Sequence, residues 1–451
     1  MRDSALTNLF LISHLAISTP AQIVNALRHR SLLPITSHPL WALVASFGAY
    51  FCMYGFRKPY AAATYESVHY LGLNFKFLLV MSQTFGYLIA KWLGIKIVSE
   101  IKPYQRIGLL LLLIGFAEIM LLLFGIVPPP WNILCFFFNG LPLGIIFGLI
   151  LSFLEGRKNS EALIAGLCAS FIVSDGFSKS MGSVLLIDGV SEKWMPFFAG
   201  LIFVIPILLF IIMLSKVPPP SDEDRVQRCT RSPMYAKERW DFYMKFAPGL
   251  TGITMVYLFV TFLRSLRADF ARELWRDLGF FQTPEMFTQS ELLVSAGVIL
   301  ISAFTIYVRN HMKAFEFSLL ACAGGFLLCL VAVAGLQSGL NKFVFMVLIG
   351  LGVYIPYVSI HTTVFERLIA VTREKANIGF MMYVVDAVGY TGYALLLLYR
   401  NLWPTPASML TNFVDLCLVL GVAGSIVSLV SYFYFKIKLR RNEQHAQISF
   451  R

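Results

Sequence analysis

Two arginines hold matching places in a chain with little room for charge. Arg57 and Arg264 each lie near the end of an apolar run. Each follows a tyrosine seven residues earlier, Tyr50 and Tyr257, and a hydroxyl-bearing residue three earlier, Tyr54 and Thr261. Offsets of three, four and seven share one helix face, so both runs carry a polar stripe that ends in a guanidinium. An arginine at the centre of a membrane span costs roughly 2.5–3.5 kcal/mol on insertion scales, and it persists where it reaches headgroups, finds a counter-charge or faces a water-filled cavity. Snorkelling from a helix end is the plain alternative for Arg57, and its repetition at Arg264 favours the cavity. Two guanidiniums facing one cavity repel each other unless an anion sits between them. Arginine binds phosphate or carboxylate through paired N–H···O bonds, which lysine cannot form. The pair therefore points to a phosphate or carboxylate solute.

Other polar residues interrupt the apolar runs singly. Lys91 falls in the second run, where snorkelling to the membrane face is an equal alternative. Asp175 and Lys179, four apart, share a helix face, so a structural ion pair competes with a role in coupling or gating. Glu118, Glu291 and Asp386 are isolated acids, any of which could carry a proton. His361 is a lone histidine, which in most proteins is a packed and satisfied residue.

The elements that must position these groups are membrane helices. Of 451 residues, 57% are hydrophobic, 40 are phenylalanine and only 14% are charged; mean hydropathy is +0.71. A soluble domain carries about a quarter charged residues. Apolar stretches long enough to span a bilayer occur near residues 40–60, 75–99, 107–127, 131–154, 162–187 and 194–214, then 246–266, 292–308, 315–336, 343–360, 378–399 and 413–435. The expected fold class is an all-α polytopic membrane protein of twelve transmembrane helices, built as two six-helix parallel repeats, the arrangement of the major facilitator fold. Residues 1–38 read as a cytoplasmic N-terminal segment, with too weak an apolar stretch for a signal peptide. Residues 39–216 form the first bundle, 217–245 a polar linker, 246–436 the second bundle and 437–451 a basic tail.

Lys and Arg concentrate in alternate loops, at 96–106, 157–158, the linker, 309–313 and 367–375. By the positive-inside rule both termini are cytoplasmic. The stretch from Arg264 to Arg276 is the exception, and Asp269, Glu273 and Asp277 offset it. The net charge of +12 is thus a membrane-topology signal, and nucleic acid is not an expected partner. Six of the seven cysteines lie in apolar runs and no CxxC occurs, so neither a disulfide framework nor a metal site is expected.

At these residues the sequence resembles the organophosphate:phosphate antiporter branch of the major facilitator superfamily, which includes the glycerol-3-phosphate and hexose-phosphate transporters; it reads as a divergent bacterial branch. Tyr54–Lys58 is similar to the first-helix motif of an aromatic followed by Arg-Lys, with a tyrosine at the place of Tyr50. Lys91 falls on the second-helix lysine, and Asn139-Gly140 on a fourth-helix Gln-Gly. Arg264 with Asp269 resembles the seventh-helix arginine, Tyr354-Ile355-Pro356 a tenth-helix Tyr-Gly-Pro, and Gly389-Tyr390 an eleventh-helix Gly-Tyr. The resemblance implies an anion held between Arg57 and Arg264 with help from Lys91, hydrogen bonds from Tyr50, Tyr54, Tyr354 and Tyr390, and Asn139 lining the cavity. It also implies alternating access by rocking of the halves, no cofactor, a monomer, and a bacterial inner membrane. Asp175 stands where the family has a histidine, and an acid near phosphate is unfavourable unless Lys179 neutralises it. The superfamily's motif between the second and third helices survives only as Gly94, Glu100 and Arg106 at stretched spacing.

Four functions are compatible with these features. The first is secondary transport of a small anion, phosphate or an organophosphate. The second is a proton-coupled symporter or efflux pump with Asp175 or Asp386 as proton carrier, with Lys179 and His361 as further coupling or gating candidates. The third is a sensor that binds without flux. The fourth is a membrane enzyme, against which no GxxxxGK[ST], HExxH or GxSxG occurs.

Overall fold

A computed structural model describes residues 38–449 except 67–68, 71–72, 155–156, 158–159, 220–235, 282, 373–377 and 404–406. The N-terminal segment and most of the linker lie outside the described residues. Twelve long helices follow in order among the described residues. In the first half they are α1 (Pro39–Met53), α2 (Phe75–Glu100), α3 (Arg106–Ile126), α4 (Asn132–Leu154), α5 (Ser160–Ile187) and α6 (Met195–Ser215). In the second they are α7 (Ala247–Asp269), α8 (Glu285–Tyr307), α9 (His311–Gln337), α10 (Lys342–Ser359), α11 (Ile378–Leu402) and α12 (Met409–Ser449). Helix α12 carries the chain on as helix through most of the basic tail.

Eleven spans are long and apolar enough to cross a bilayer. The twelfth helix, α2, has the length but carries Lys76, Lys91 and Lys96. Large apolar side chains such as Ile205, Leu300 and Val419 lie more than half exposed on the outer surface, where hydrocarbon covers them at no cost. In lipid each span must satisfy its own backbone, which selects helices.

The packing is duplicated. In the first half α1 packs on α5 and α6, α4 on α2 and α3, and α3 on α6; in the second half the same pattern recurs as α7 on α11 and α12, α10 on α8 and α9, and α9 on α12. The halves meet through two equivalent contacts, α2 with α11 and α5 with α8. The second is close because Gly176 has no side chain: a Cβ there would lie 2.2 Å from the carbonyl oxygen of Phe287 on α8. This is the all-α, two-repeat major facilitator architecture expected from the sequence.

The repeats differ at one place that matters. Helix α7 runs unbroken past Arg264, but α1 stops at Met53. It tightens into a 3-10 turn over Tyr54–Phe56, passes through Arg57 and Lys58, and resumes as a second 3-10 turn over Pro59–Ala62. Pro59 has no N–H to continue a helix. The freed carbonyls are met by side chains: Gln83 donates to Arg57 O (3.2 Å) and Asn139 donates to Phe56 O (3.2 Å).

Candidate functional site

The break in α1 and the stripe on α7 bring Arg57 and Arg264 to one cavity at the interface of the halves. It has two adjoining lobes that share lining residues. Arg57, Tyr87 and Tyr390 line both; Lys58, Gln83, Thr84, Arg264, Ser265, Asp269 and Tyr393 complete the first. Tyr50, Tyr54, Lys91, Phe147, Phe171, Tyr357, His361 and Asp386 complete the second. Each lobe has about 10 Å³ of free volume, room for little more than a water molecule. The rings of Tyr87 and Tyr390, 4.8 Å apart, divide the lobes.

Aromatic faces hold both guanidiniums. Arg57 lies 4.0 Å from the ring centroid of Tyr87 and 5.6 Å from that of Tyr54. Arg264 lies 4.6 Å from the ring of Tyr357 and donates to the Tyr390 hydroxyl at 2.9 Å. The Nε of each arginine is buried without a hydrogen-bond partner.

An account of buried charge sets these two residues apart. Lys58 pairs with Asp269, Lys76 with Glu273 (2.6 Å), Lys91 with Asp386 (2.8 Å), Lys179 with Asp175, Arg267 with Glu291 (2.5 Å) and Arg367 with Glu161 (2.9 Å). Among the buried cations of the described residues, Arg57 and Arg264 are the pair for which no carboxylate stands within ion-pairing distance. An unpaired buried charge costs several kcal/mol, and the protein's own carboxylates offset neither of these two guanidiniums.

The pairs that are satisfied close the cavity at both ends. At the end carrying the α1–α2 and α7–α8 connections, Lys58 meets Asp269, which also accepts from Tyr393 (2.7 Å), and Lys76 meets Glu273 while donating to Ala61 O (2.9 Å). Glu66 meets Arg276 at the surface. At the opposite end Lys91 meets Asp386, and beyond them Glu161 meets Arg367, which also contacts His311 at 2.8 Å. Every one of these ion pairs joins the first half to the second.

The sequence candidates divide accordingly. Arg57, Arg264, Lys91, Tyr50, Tyr54, Tyr390, His361 and Asp386 come together around the cavity. Of the two neighbouring arginines on α7, Arg264 faces it, while Arg267 turns to Glu291 and donates to Met346 O (3.1 Å). Asn139 does not line either lobe. It is fully buried behind Arg57, where its amide donates to Phe56 O and Ala117 O and accepts from Gln83 (2.9 Å), so it positions the α1 break. Tyr354 also stands back, its ring 6.2 Å from Phe171 and 6.3 Å from Tyr357. Asp175 and Lys179 pair with one another on α5 and line neither lobe, and the second carboxylate oxygen of Asp175 is buried without a hydrogen-bond partner.

Sequence reading missed Lys58, Gln83, Tyr87, Tyr357 and Tyr393. Two of these carried a usable signal: Tyr87 lies four before Lys91, and Tyr357 lies three after Tyr354 and four before His361. Lys58 and Asp269 are 211 residues apart, and only folding joins them.

A family model matches residues 59–438, most of the chain. The chain belongs to a family of unknown function, DUF5690. None of the curated proteins matches the sequence. Among solved structures, the crystal structure of a D-xylose-proton symporter is similar with a TM-score of 0.58 at 13% identity, over 87% of this chain and 97% of that one. The likeness carries the major facilitator fold and, with the apolar helices, an integral membrane protein. It does not single out the organophosphate:phosphate antiporter branch.

Proposed function

We propose that this member of the family is a secondary transporter of a small anion, phosphate or an organophosphate, working by alternating access in a bacterial inner membrane with both termini cytoplasmic. The observation that carries the reading is the pair of guanidiniums, Arg57 and Arg264, left without an acid in one shared cavity while their buried neighbours are paired. A phosphate monoester brings up to two negative charges and three acceptor oxygens, which complement two forked donors and the hydroxyls of Tyr54 and Tyr390. The site is complete within one chain, which supports a monomeric unit. The ion pairs at the two ends supply the two gates that alternating access needs. Lys58–Asp269 and Lys76–Glu273 serve as the outer gate, and Lys91–Asp386 with Arg367–Glu161 as the inner one.

A second reading, proton-coupled uptake of another small solute, draws on the aromatic lining of the second lobe and on Asp386 within it. It also fits the sugar-proton symporter that shares the fold. One experiment separates them. Purified protein in vesicles preloaded with phosphate is given labelled inorganic phosphate, beside Arg57→Ala and Arg57→Glu. Uptake that requires internal phosphate and fails in both variants supports the anion reading. Normal uptake by Arg57→Glu refutes it.

A further inference from the structure

One more cation without an acid stands outside the cavity, on a helix face that leads into it. Asp386, Tyr390 and Tyr393 of α11 line the two lobes. Steps of three and four along a helix keep to one face. From Tyr393 they run through Leu397, which is fully buried, to Arg400 in the last turn. At 1.5 Å per residue, Arg400 lies about 10 Å beyond Tyr393 along the helix axis. Leu395, Leu398, Tyr399 and Leu402 form the opposite, exposed face of α11. An arginine that only reached for headgroups would take that face. Arg400 takes the other one.

Its guanidinium lies across the seam between the halves, 5.5 Å from the ring centroid of Phe77 on α2. Phe77 meets Phe270 at 4.8 Å, and the ammonium of Lys76 lies 5.8 Å from that same Phe270 ring. Arg400 is therefore beside the Lys76–Glu273 pair at the α1–α2 end, and it is half-buried, open to that side. No carboxylate among the described residues lies within ion-pairing distance of it. Glu273 acts on it at longer range, but both oxygens of Glu273 are held by Lys76 at 2.6 and 2.7 Å. The helix C-terminus and the ring face each favour a cation weakly, and neither neutralises it.

We propose that Arg400 is an outer capture site for the transported anion. A phosphate group arriving at this end pairs first with Arg400. It passes inward as Lys76 and then Lys58 part from Glu273 and Asp269. The cations stand in order along that route. Arg400 and Lys76 lie outside the cavity, Lys58 lines its first lobe, and Arg57 with Arg264 completes it. The two middle lysines are held by acids while the gate is shut, so Arg400 is the member of the series that can meet an anion from outside. Passage inward rests on the anion reading above, whereas binding of an anion at Arg400 does not.

Two measurements on the full-length protein in vesicles of uniform orientation test it. In the first, a membrane-impermeant sulfonated phenylglyoxal is applied from the α1–α2 side, and mass spectrometry follows the adduct at Arg400. Inorganic phosphate should slow the modification about twofold when it equals its Kd there, relative to gluconate at the same ionic strength. Arg276, paired with Glu66 at the same end, is the internal reference and should not be protected. The protection should persist in Arg57→Met. Absence of protection, equal protection of Arg276, or loss of protection in Arg57→Met overturns the proposal. In the second, Arg400→Gln should lower kcat/KM for external phosphate by up to about tenfold at about 0.01 M ionic strength. The difference should close near 1 M, where the screening length falls to about 3 Å. Arg400→Lys should recover most of the loss, because capture needs the charge rather than the fork. Equal kcat/KM at low ionic strength also overturns the proposal. If the wild type moves no phosphate, the anion reading fails by itself, and the protection of Arg400 still decides whether an outer anion site exists.

Discussion

Adjacent residues 57 and 58 should respond oppositely to removal of their charge. Lys58→Met takes the counter-charge from Asp269, which is 5% exposed and keeps only the Tyr393 hydroxyl at 2.7 Å. Breaking a buried pair from one side costs about 3–5 kcal/mol. Arg57→Met removes a charge that had no counter-ion, and the relief is bounded by the roughly 1–4 kcal/mol gained when buried ionic groups give way to apolar ones of similar volume. Against this stands the loss of the contacts over Tyr87 and Tyr54 at 4.0 and 5.6 Å, worth about 0.5–2 kcal/mol each. The net change for Arg57→Met is therefore near zero, and the two variants differ by about 3 kcal/mol or more. At about 2–4 °C per kcal/mol for a unit the size of one six-helix half, Lys58→Met should lose roughly 6–20 °C in detergent, followed by tryptophan fluorescence, and Arg57→Met should unfold near the wild type. Phosphate at about 100 times its Kd should stabilise the wild type by about 2.7 kcal/mol and leave Arg57→Met unmoved. If Arg57→Met unfolds as readily as Lys58→Met, Arg57 is a structural cation with a partner of its own, and the case for an anion between the arginines fails.

Three further outcomes are expected. Arg264→Lys keeps the charge but loses the forked geometry and the bond to Tyr390, a loss of about 1.5–3 kcal/mol, so half-saturation for phosphate exchange should rise about 10- to 150-fold; an unchanged value would remove bidentate recognition. Asp269→Asn should weaken the gate at the α1–α2 end and speed the labelling of a Thr84→Cys reporter by a membrane-impermeant thiol reagent, and equal labelling rates would show that the pair does not gate. Asn139→Ala strands the carbonyl of Phe56 at about 1–3 kcal/mol, since Ala117 lies within α3 and keeps its helical bond, and should lower both Tm and phosphate affinity through the α1 break. Lower Tm with unaltered affinity would separate Asn139 from the site.

Much of this protein was legible in its sequence because the bilayer leaves few solutions. Twelve apolar runs became twelve helices, since a chain without water to bond its backbone must coil each span on itself. The stripes Tyr50–Arg57 and Tyr257–Arg264 identified two arginines on helix faces, because three- and four-residue spacing is a property of the helix alone. Charge balance was not legible. Whether Lys91 snorkels or pairs depends on Asp386, nearly 300 residues along the chain and on the other half. The role of Asn139 depends on where α1 breaks, and its place next to Arg57's neighbour at the break is a product of α2–α4 packing rather than of local spacing. Only the tertiary structure decides which buried cations find acids and which two do not, because ion pairs across the halves form when distant helices meet, and periodicity along one helix carries no record of its neighbour.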